Sequence, residues 1–332
     1  MKKLAIISTM VFMAIHCFAV KKDSSYLEAR KSGALARIQI QVCDDSGENV
    51  PNADIRVFMG MNFRPKGYYL EGKTDTNGVF VAEGKTCGDE ISIDVIKDGY
   101  YSSSKKLSFA KMGFERNVEN DKWQPFGEVQ NIVLRKKINP INLISFSKLI
   151  DVVQTNRWVG FDMKKGDFVA PMGCGKNADF EVKVEWDGRP AWESRYCCAE
   201  IRFPNPFTGG YYARNVSESK FPNVYKANPV NPYKETHIQI IDRNGNPHTT
   251  RLAFTNDASF VVRVRSVLDE VGNIKMANYG SITRFNIGPS RRGVALLRLE
   301  YVFNPTPNDR NLEWDMKNNL CPTQERIHNP QP

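Results

Sequence analysis

The residues in this chain that could do chemistry are four histidines, seven cysteines and a scatter of carboxylates. His237 and His248 flank Asp242-Arg243-Asn244-Gly245-Asn246, a hairpin signal. With Asn244-Gly245 as a two-residue loop, His248 faces Ile241 and His237 faces Leu252. The rings are then not cross-strand neighbours, and zinc ligands are normally spaced only about two to four residues apart. No metal and no cofactor is expected. Cys174, in Pro171-Met172-Gly173-Cys174-Gly175-Lys176, lies in a small-residue loop that could present a thiol. A nucleophile there needs a histidine beside it, and a disulfide or structural thiol is the plainer reading. The same loop is no phosphate cradle, because Ala170 stands where the first glycine belongs and Asn177 where Ser or Thr would follow the lysine. Asp44, Asp45 and Glu48, then Asp75 and Asn77, then Asp242 and Asn244 place oxygen atoms near glycines. Turns explain these clusters without calcium. Asp162, Asp179, Glu181 and Asp242 are the carboxylates a hydrolase would draw on. A glycosidase needs two of them about 5–10 Å apart across a cleft, and nothing in the sequence pairs them.

One long connection stands out instead. Phe203 to Lys234 holds five prolines, Gly209-Gly210 and the aromatics Phe207, Tyr211, Tyr212, Phe221, Tyr225 and Tyr233. Loops beyond about 12–15 residues are often binding loops. Aromatic rings on a rigid sandwich stack on sugars or dock peptides. Phe207, Tyr211, Tyr212, Tyr225 and Tyr233 are therefore the candidate ligand-binding residues. The opposing expectation is that these rings fill the rim of their own domain.

The compartment follows from the start of the chain. Met1–Ala19 has Lys2 and Lys3, a short apolar run, and Cys17 and Ala19 at the −3 and −1 positions of a cleavage site, the pattern of a secretory signal. The apolar run is shorter than the roughly 20 residues a bilayer span requires. No membrane span is expected after cleavage. Loss of Lys2 and Lys3 lowers the net charge from +9 to +7. The charge is dispersed, and export argues against a nucleic-acid partner. The six remaining cysteines, Cys43, Cys87, Cys174, Cys197, Cys198 and Cys321, suggest disulfides in an exported chain. Cys43 with Cys87 is the first pairing expected. Cys197 and Cys198 point to opposite sides of a strand.

These groups must be positioned by β-strands. Ala36–Val42 alternates Ile38, Ile40 and Val42 against Arg37, Gln39 and Gln41. Ala53, Ile55 and Val57 repeat the pattern, as do Ile91, Ile93 and Val95, with Asp-Ser-Gly, Asn-Gly and Asp-Gly turns between. V-x-D-x-x-G-x-x-V-P-x-A-x-I-x-V over Val42–Val57, T-D-x-x-G-x-F over Thr74–Phe80 and I-x-V-x-K-x-G-Y over Ile93–Tyr100 resemble the carboxypeptidase regulatory-like module. The resemblance covers about a third of the chain and implies a seven-strand transthyretin-like β-sandwich that acts as a non-catalytic companion. The zinc peptidases carrying that module use H-x-x-E, and no histidine here has Glu three residues later. Residues 148–320 read as a second β-rich, sandwich-like domain, with strands over Ala178–Trp186, Cys197–Phe203, Thr236–Ile241, Ser259–Leu268, Ser281–Ile287 and Gly293–Phe303. Its remainder resembles only uncharacterised exported bacterial proteins.

The sequence thus specifies an all-β chain. It has a signal at 1–19, a lead-in at 20–35, the first sandwich at 36–137, a linker at 138–147, the second domain at 148–320 and a tail at 321–332. The expected function is a non-catalytic binding or structural protein of the cell envelope, its ligand a glycan or another envelope protein. The alternatives are a secreted hydrolase with its site in the second domain and a surface assembly subunit joined through strand edges. The final compartment could be periplasm, cell surface or medium.

Overall fold

The computed structural model describes residues 24–60, 67–109, 118–152, 154–189, 194, 196–205, 207–216, 218–229, 233, 238–242, 258–290 and 293–321. The signal pattern, the histidines and the Asn244-Gly245 hairpin lie outside them.

The lead-in contains a helix, α1 (Ser24–Ser32), which the polar sequence did not announce. It stops at Gly33, whose φ of +83° suits glycine and whose amide donates to the Ala29 carbonyl at 3.0 Å. Ala29 is buried, and Tyr26 meets Trp123 edge-on at 6.0 Å. Trp123 in turn stacks on Phe109 at 5.5 Å. The segment is therefore part of the first core.

That core lies between two sheets. The strands are β1 (Ala34–Asp44), β2 (Asp54–Met59), β3 (Tyr68–Lys73), β4 (Val79–Thr86), β5 (Glu90–Ile96), β6 (Tyr100–Tyr101), β7 (Ser103–Ser108), β8 (Val118–Glu119), β9 (Lys122–Trp123) and β10 (Glu128–Lys136). One sheet runs β6-β10-β1-β9-β8 with β4 on the other side of β1, and the other runs β3-β2-β5-β7. β1 and β10 pair in parallel from Ile38 opposite Glu128 to Asp44 opposite Leu134. The alternation read in the sequence sets the faces: Ile38, Ile40, Val42, Ile55, Val57, Ile91, Ile93 and Val95 are all buried. Each contributes roughly 1.5–3 kcal/mol relative to exposure.

At one rim, β3 and β4 face each other and each supplies a glycine to the other's aromatic ring. A Cβ on Gly72 would meet Phe80 Cε2 at 2.4 Å, and one on Gly84 would meet the Tyr68 hydroxyl at 2.5 Å. The Tyr68 hydroxyl also donates to the Lys85 carbonyl at 2.8 Å, and the Asp75 amide donates to the Val79 carbonyl at 2.9 Å. Both ends of the β4 edge are thereby covered, which blunts strand addition.

The second domain has β11 (Ile141–Asp151), β12 (Trp158–Asp162), β13 (Asp167–Phe168), β14 (Phe180–Trp186), β15 (Cys197–Arg202), β16 (Gly209–Arg214), β17 (Ile238–Asp242), β18 (Ala258–Leu268), β19 (Ile274–Pro289), β20 (Ala295–Asn304) and β21 (Trp314–Asn319). They form the sheets β16-β18-β19-β20-β11-β21 and β13-β12-β14-β15-β17. Phe146, Phe161, Phe180, Phe260, Phe285 and Tyr301 fill the space between them. The strand β11 takes in residues that the sequence assigned to a linker, so the connection between the domains is only Lys137–Pro140. The closing strip of Pro305–Leu312 lies on the outer face of the larger sheet, with Leu312 buried beside Val261, Ala277 and Tyr279.

No disulfide joins the six described cysteines. The expected Cys43–Cys87 pair is ruled out by register. Cys87 follows Thr86, which lies opposite Ala34, whereas Cys43 lies nine residues further along the same strand. At about 3.3 Å per residue the two are roughly 30 Å apart, far beyond the ~7 Å a disulfide spans. Cys197 and Cys198 do take opposite faces, and Cys197 joins the inner core.

Gly210 in β16 admits no side chain, because a Cβ there would lie 2.3 Å from Phe260 Cε1 and 2.6 Å from the Val261 carbonyl oxygen. Gly210→Ala is expected to lower stability by about 1–3 kcal/mol in denaturant unfolding. A change below about 0.5 kcal/mol would show that the edge strand moves freely.

Candidate functional site

Three of the hydrolase carboxylates are placed by side chain. Asp162 and Asp179 come together, but around Arg265. Arg265 sits at a register shift in β18, between Val264 and Val267, with φ +55°. The shift turns its side chain inward, whereas strict alternation from Phe260, Val262 and Val264 would place Arg265 on the opposite face with Arg263. Its Nε donates to Asp179 Oδ1 at 2.7 Å, and its Nη2 donates to Asp162 Oδ1 at 2.7 Å and Asp179 Oδ2 at 2.8 Å. Asp162 also accepts amides from Lys164, Lys165, Lys176 and Asn177, at 2.9–3.2 Å. Asp179 accepts the Met163 amide at 2.8 Å.

Burial pushes the Asp162 carboxyl up, but the Lys176 and Asn177 amides and Arg265 outweigh it and hold the group below its usual range. For Asp179 burial prevails over Arg265, and the carboxyl is raised. Both residues are 1% exposed and their oxygens are occupied. The cluster fastens the turn after β12, the loop before β14 and the kink in β18. Glu181 lies elsewhere, paired with Arg202 at 2.5 Å, whose guanidinium sits 4.2 Å over Trp158. Asp242 is on β17 opposite Cys197.

The aromatics of the long connection divide into four groups. Tyr233 is buried, with Tyr211 edge-on to it at 5.2 Å and Arg263 stacked on it at 4.3 Å. Tyr212 packs on Phe260 at 5.0 Å and stays 43% exposed. Phe207 is 48% exposed and has φ +58°, a left-handed backbone unusual for a bulky residue. Its carbonyl accepts from Arg263 Nε at 3.1 Å and Ser266 Oγ at 2.9 Å.

Tyr225 belongs to a different construction, with Phe221. This stretch crosses to the first domain. Ser219 bridges Ser103, the Ser104 amide donates to the Glu218 carbonyl at 2.8 Å, and the Lys220 amide donates to the Ser102 carbonyl at 2.9 Å. The second domain thus adds a short strand to the β7 edge of the first. Arg135, at the end of β10, enters between Phe221 and Tyr225, 4.7 Å and 4.2 Å from their ring centres. Its Nη1 donates to the Phe221 carbonyl at 2.9 Å and also to that of Asn223. Tyr225 donates to the Lys136 carbonyl at 2.6 Å.

Glu313, 1% exposed, closes the joint from the other side. Its carboxylate accepts the Ile138 amide at 2.8 Å, the Asn139 amide at 2.7 Å and the Tyr101 hydroxyl at 3.1 Å. Burial, then Glu313, raises the Tyr101 phenol. Arg135, Tyr101 and Glu313 were not singled out in the sequence. The one available signal was a charge next to buried-type apolar residues, at the end of Val133-Leu134-Arg135 and within Leu312-Glu313-Trp314.

The first two turn clusters considered for calcium are occupied by their own backbone, and the third, Asp242 with Asn244, reaches outside the described residues. Asp44 Oδ1 accepts the Ser46 and Glu48 amides at 3.0 Å, and Lys136 reaches Oδ2 at 2.8 Å. The lysine holds this carboxyl well below its usual range. Asp75 accepts the amides of Asn77 and Val79. Among the described residues no three potential metal ligands gather. Cys174 is exposed, its thiol raised by a hydrogen bond with Asp167.

No protein-family model matches the chain, and no curated protein matches it. Solved structures do. The 3-chlorocatechol 1,2-dioxygenase of Rhodococcus opacus 1CP aligns at 14% identity and TM-score 0.24, over 32% of this chain and 61% of the dioxygenase. The shaft pilin of Lactobacillus rhamnosus GG aligns at 10% identity and TM-score 0.23, over 53% of this chain and 90% of the pilin. A streptococcal ancillary pilin aligns at 10% identity and TM-score 0.23, over 58% of each chain. At such scores these likenesses carry no argument.

Arg265→Ala would leave Asp162 and Asp179 buried without their cation. A loss of about 3–5 kcal/mol is expected in denaturant unfolding. A loss under 1 kcal/mol would mean that the carboxylates are hydrated and open to other chemistry.

Proposed function

We propose that this protein is an exported, non-catalytic structural subunit of the cell surface, built as a stiff two-sandwich spacer. The observation that carries this reading is the use made of Phe203–Lys234. Its middle is spent on the joint between the domains, where Arg135, Phe221, Tyr225 and Glu313 fix their relative placement. The two carboxylates that meet are consumed by Arg265, which favours a structural over a hydrolytic role. The signal pattern at Met1–Ala19 supports export. Among the described residues no helix is long and apolar enough to cross a membrane. The resemblance to the regulatory-like module fits a scaffold.

A second reading, glycan binding, draws on Phe207, an exposed ring held in a costly backbone conformation by Arg263 and Ser266. Tyr212 is the other exposed ring of that connection.

Cross-linking on intact native cells, read by immunoblot, is expected to trap the protein in higher-mass surface species. Recovery as a monomer in the medium alone would sink the structural reading. Saturable binding on a glycan array, lost in Phe207→Ala, would favour the second. The spacer claim has its own check. Glu313→Ala strands the Ile138 and Asn139 amides, each costing about 1–3 kcal/mol, while the Tyr101 hydroxyl keeps the Trp314 carbonyl at 3.1 Å. Calorimetry should then resolve two transitions where the native protein gives one, and an unchanged single transition would show that the joint does not couple the domains.

A further inference from the structure

The exposed ring of Phe207 shares one end of the second domain with a group of lysines. In the pairing of β14 with β15, Glu181 stands opposite Arg202. The loop before β14 and the loop after β15 therefore leave the sheet side by side. The Asn205 side-chain amide joins them by donating to the Ala178 carbonyl at 3.5 Å. Phe207 lies two residues beyond this bond, and Lys176 two residues before it. On the other side of Phe207, Gly209 stands opposite Arg263 in β18. Arg263 and Ser266 hold the Phe207 carbonyl, and Arg265 grips Asp162 and Asp179.

Asp162 brings the lysines together. Its two oxygens accept the backbone amides of Lys164 and Lys165 from one turn and of Lys176 and Asn177 from another. Three lysines of two separate loops thus start around a single carboxylate. Lys164 and Lys176 are exposed, and Lys165 is half-buried. Among the described residues the ammonium groups of Lys164 and Lys176 take part in no hydrogen bond or ion pair. The carboxylates that could answer them are already engaged. Asp162 and Asp179 face Arg265, and Asp167 accepts the Phe168 amide at 2.8 Å and the Cys174 amide at 2.9 Å.

Two features therefore meet at this end. One is an exposed aromatic ring on a loop whose carbonyl is held twice, which suits stacking on a rigid sugar ring. The other is a pair of exposed ammonium groups on fixed turns, which draws anions. A neutral sugar would use only the first, and an acidic peptide chiefly the second.

We propose that this end of the second domain binds an acidic glycan, with Phe207 under a sugar ring and Lys164 and Lys176 on its carboxylate or phosphate groups. The proposal rests on the glycan-binding reading and gives that ligand a charge.

An array printed with oligogalacturonate, mannose 6-phosphate and sialyllactose, each beside its uncharged counterpart, tests it on the full chain. At least one acidic sugar should bind saturably, and about tenfold more tightly than its neutral counterpart, the sum of two exposed charge contacts. Replacing both lysines, Lys164→Gln with Lys176→Gln, should erase that preference. These variants keep the backbone amides that Asp162 uses, so the fold is not at stake. Phe207→Ala should weaken acidic and neutral sugars alike. Lys85→Gln, on β4 of the first domain, should change nothing. Equal binding of acidic and neutral sugars would overturn the proposal and leave the glycan reading standing, whereas binding of no sugar would overturn both. Displacement of the acidic sugar by polyglutamate at equal charge concentration would overturn it in favour of a peptide.

Discussion

The joint between the two domains is centred on one guanidinium. Arg135 stands near the end of the last strand of the first sandwich and places its charge between two aromatic rings of the second. Such a contact is worth about 2 kcal/mol or more when desolvated. The geometry around it depends on three further provisions. Peptide carbonyls of Phe221 and Asn223 accept hydrogen bonds from its Nη1, and Asp45 supplies a counter-charge 3.8 Å from its Nε. Glu313 pins the linker amides on the opposite side. The polar chain extends inward from there. Asn311 donates to the Asn139 carbonyl, Asn304 to the Asn311 carbonyl and Asn278 to the Asn304 carbonyl. The linker is therefore tied to the centre of the larger sheet by side-chain amides, a buried network that fixes one arrangement.

Much of the first sandwich was legible because its strands alternate strictly, and a half-buried sheet imposes that period on its sequence. Ile38, Ile40 and Val42 could only face one way. The second domain was less legible where strands are short or broken. β11 begins directly after Pro140, and its polar residues at Ser145 and Ser147 looked like linker composition. Arg265 departs from strand alternation for a local reason. One shifted residue in β18 reverses the face of everything at the kink, and alternation counted along the sequence cannot detect it. The helix α1 was hidden because its apolar contacts are few, chiefly Ala29 and Tyr26.

The candidate site shows a harder limit. The sequence marks Phe203–Lys234 as unusual but gives the same signal for a ligand loop and for a joint. Only the partner surface separates them. Phe221 and Tyr225 acquire their role from Arg135, nearly ninety residues earlier, at a separation given by no local pattern. The expected Cys43–Cys87 pair failed for the related reason that strand-end positions do not say which end.

The parallel ladder between β1 and β10 has a mechanical consequence. The chain enters the first sandwich at the start of β1 and leaves it at the end of β10, and these points lie at opposite ends of the seven paired positions from Ile38–Glu128 to Asp44–Leu134. Tension applied through the two chain ends would slide one strand along the other. The rungs would share that load together, whereas a hairpin pulled from its open end gives way one rung at a time. The same topology that buries Ile38 and Ile40 makes the module a shear clamp along the line of the chain.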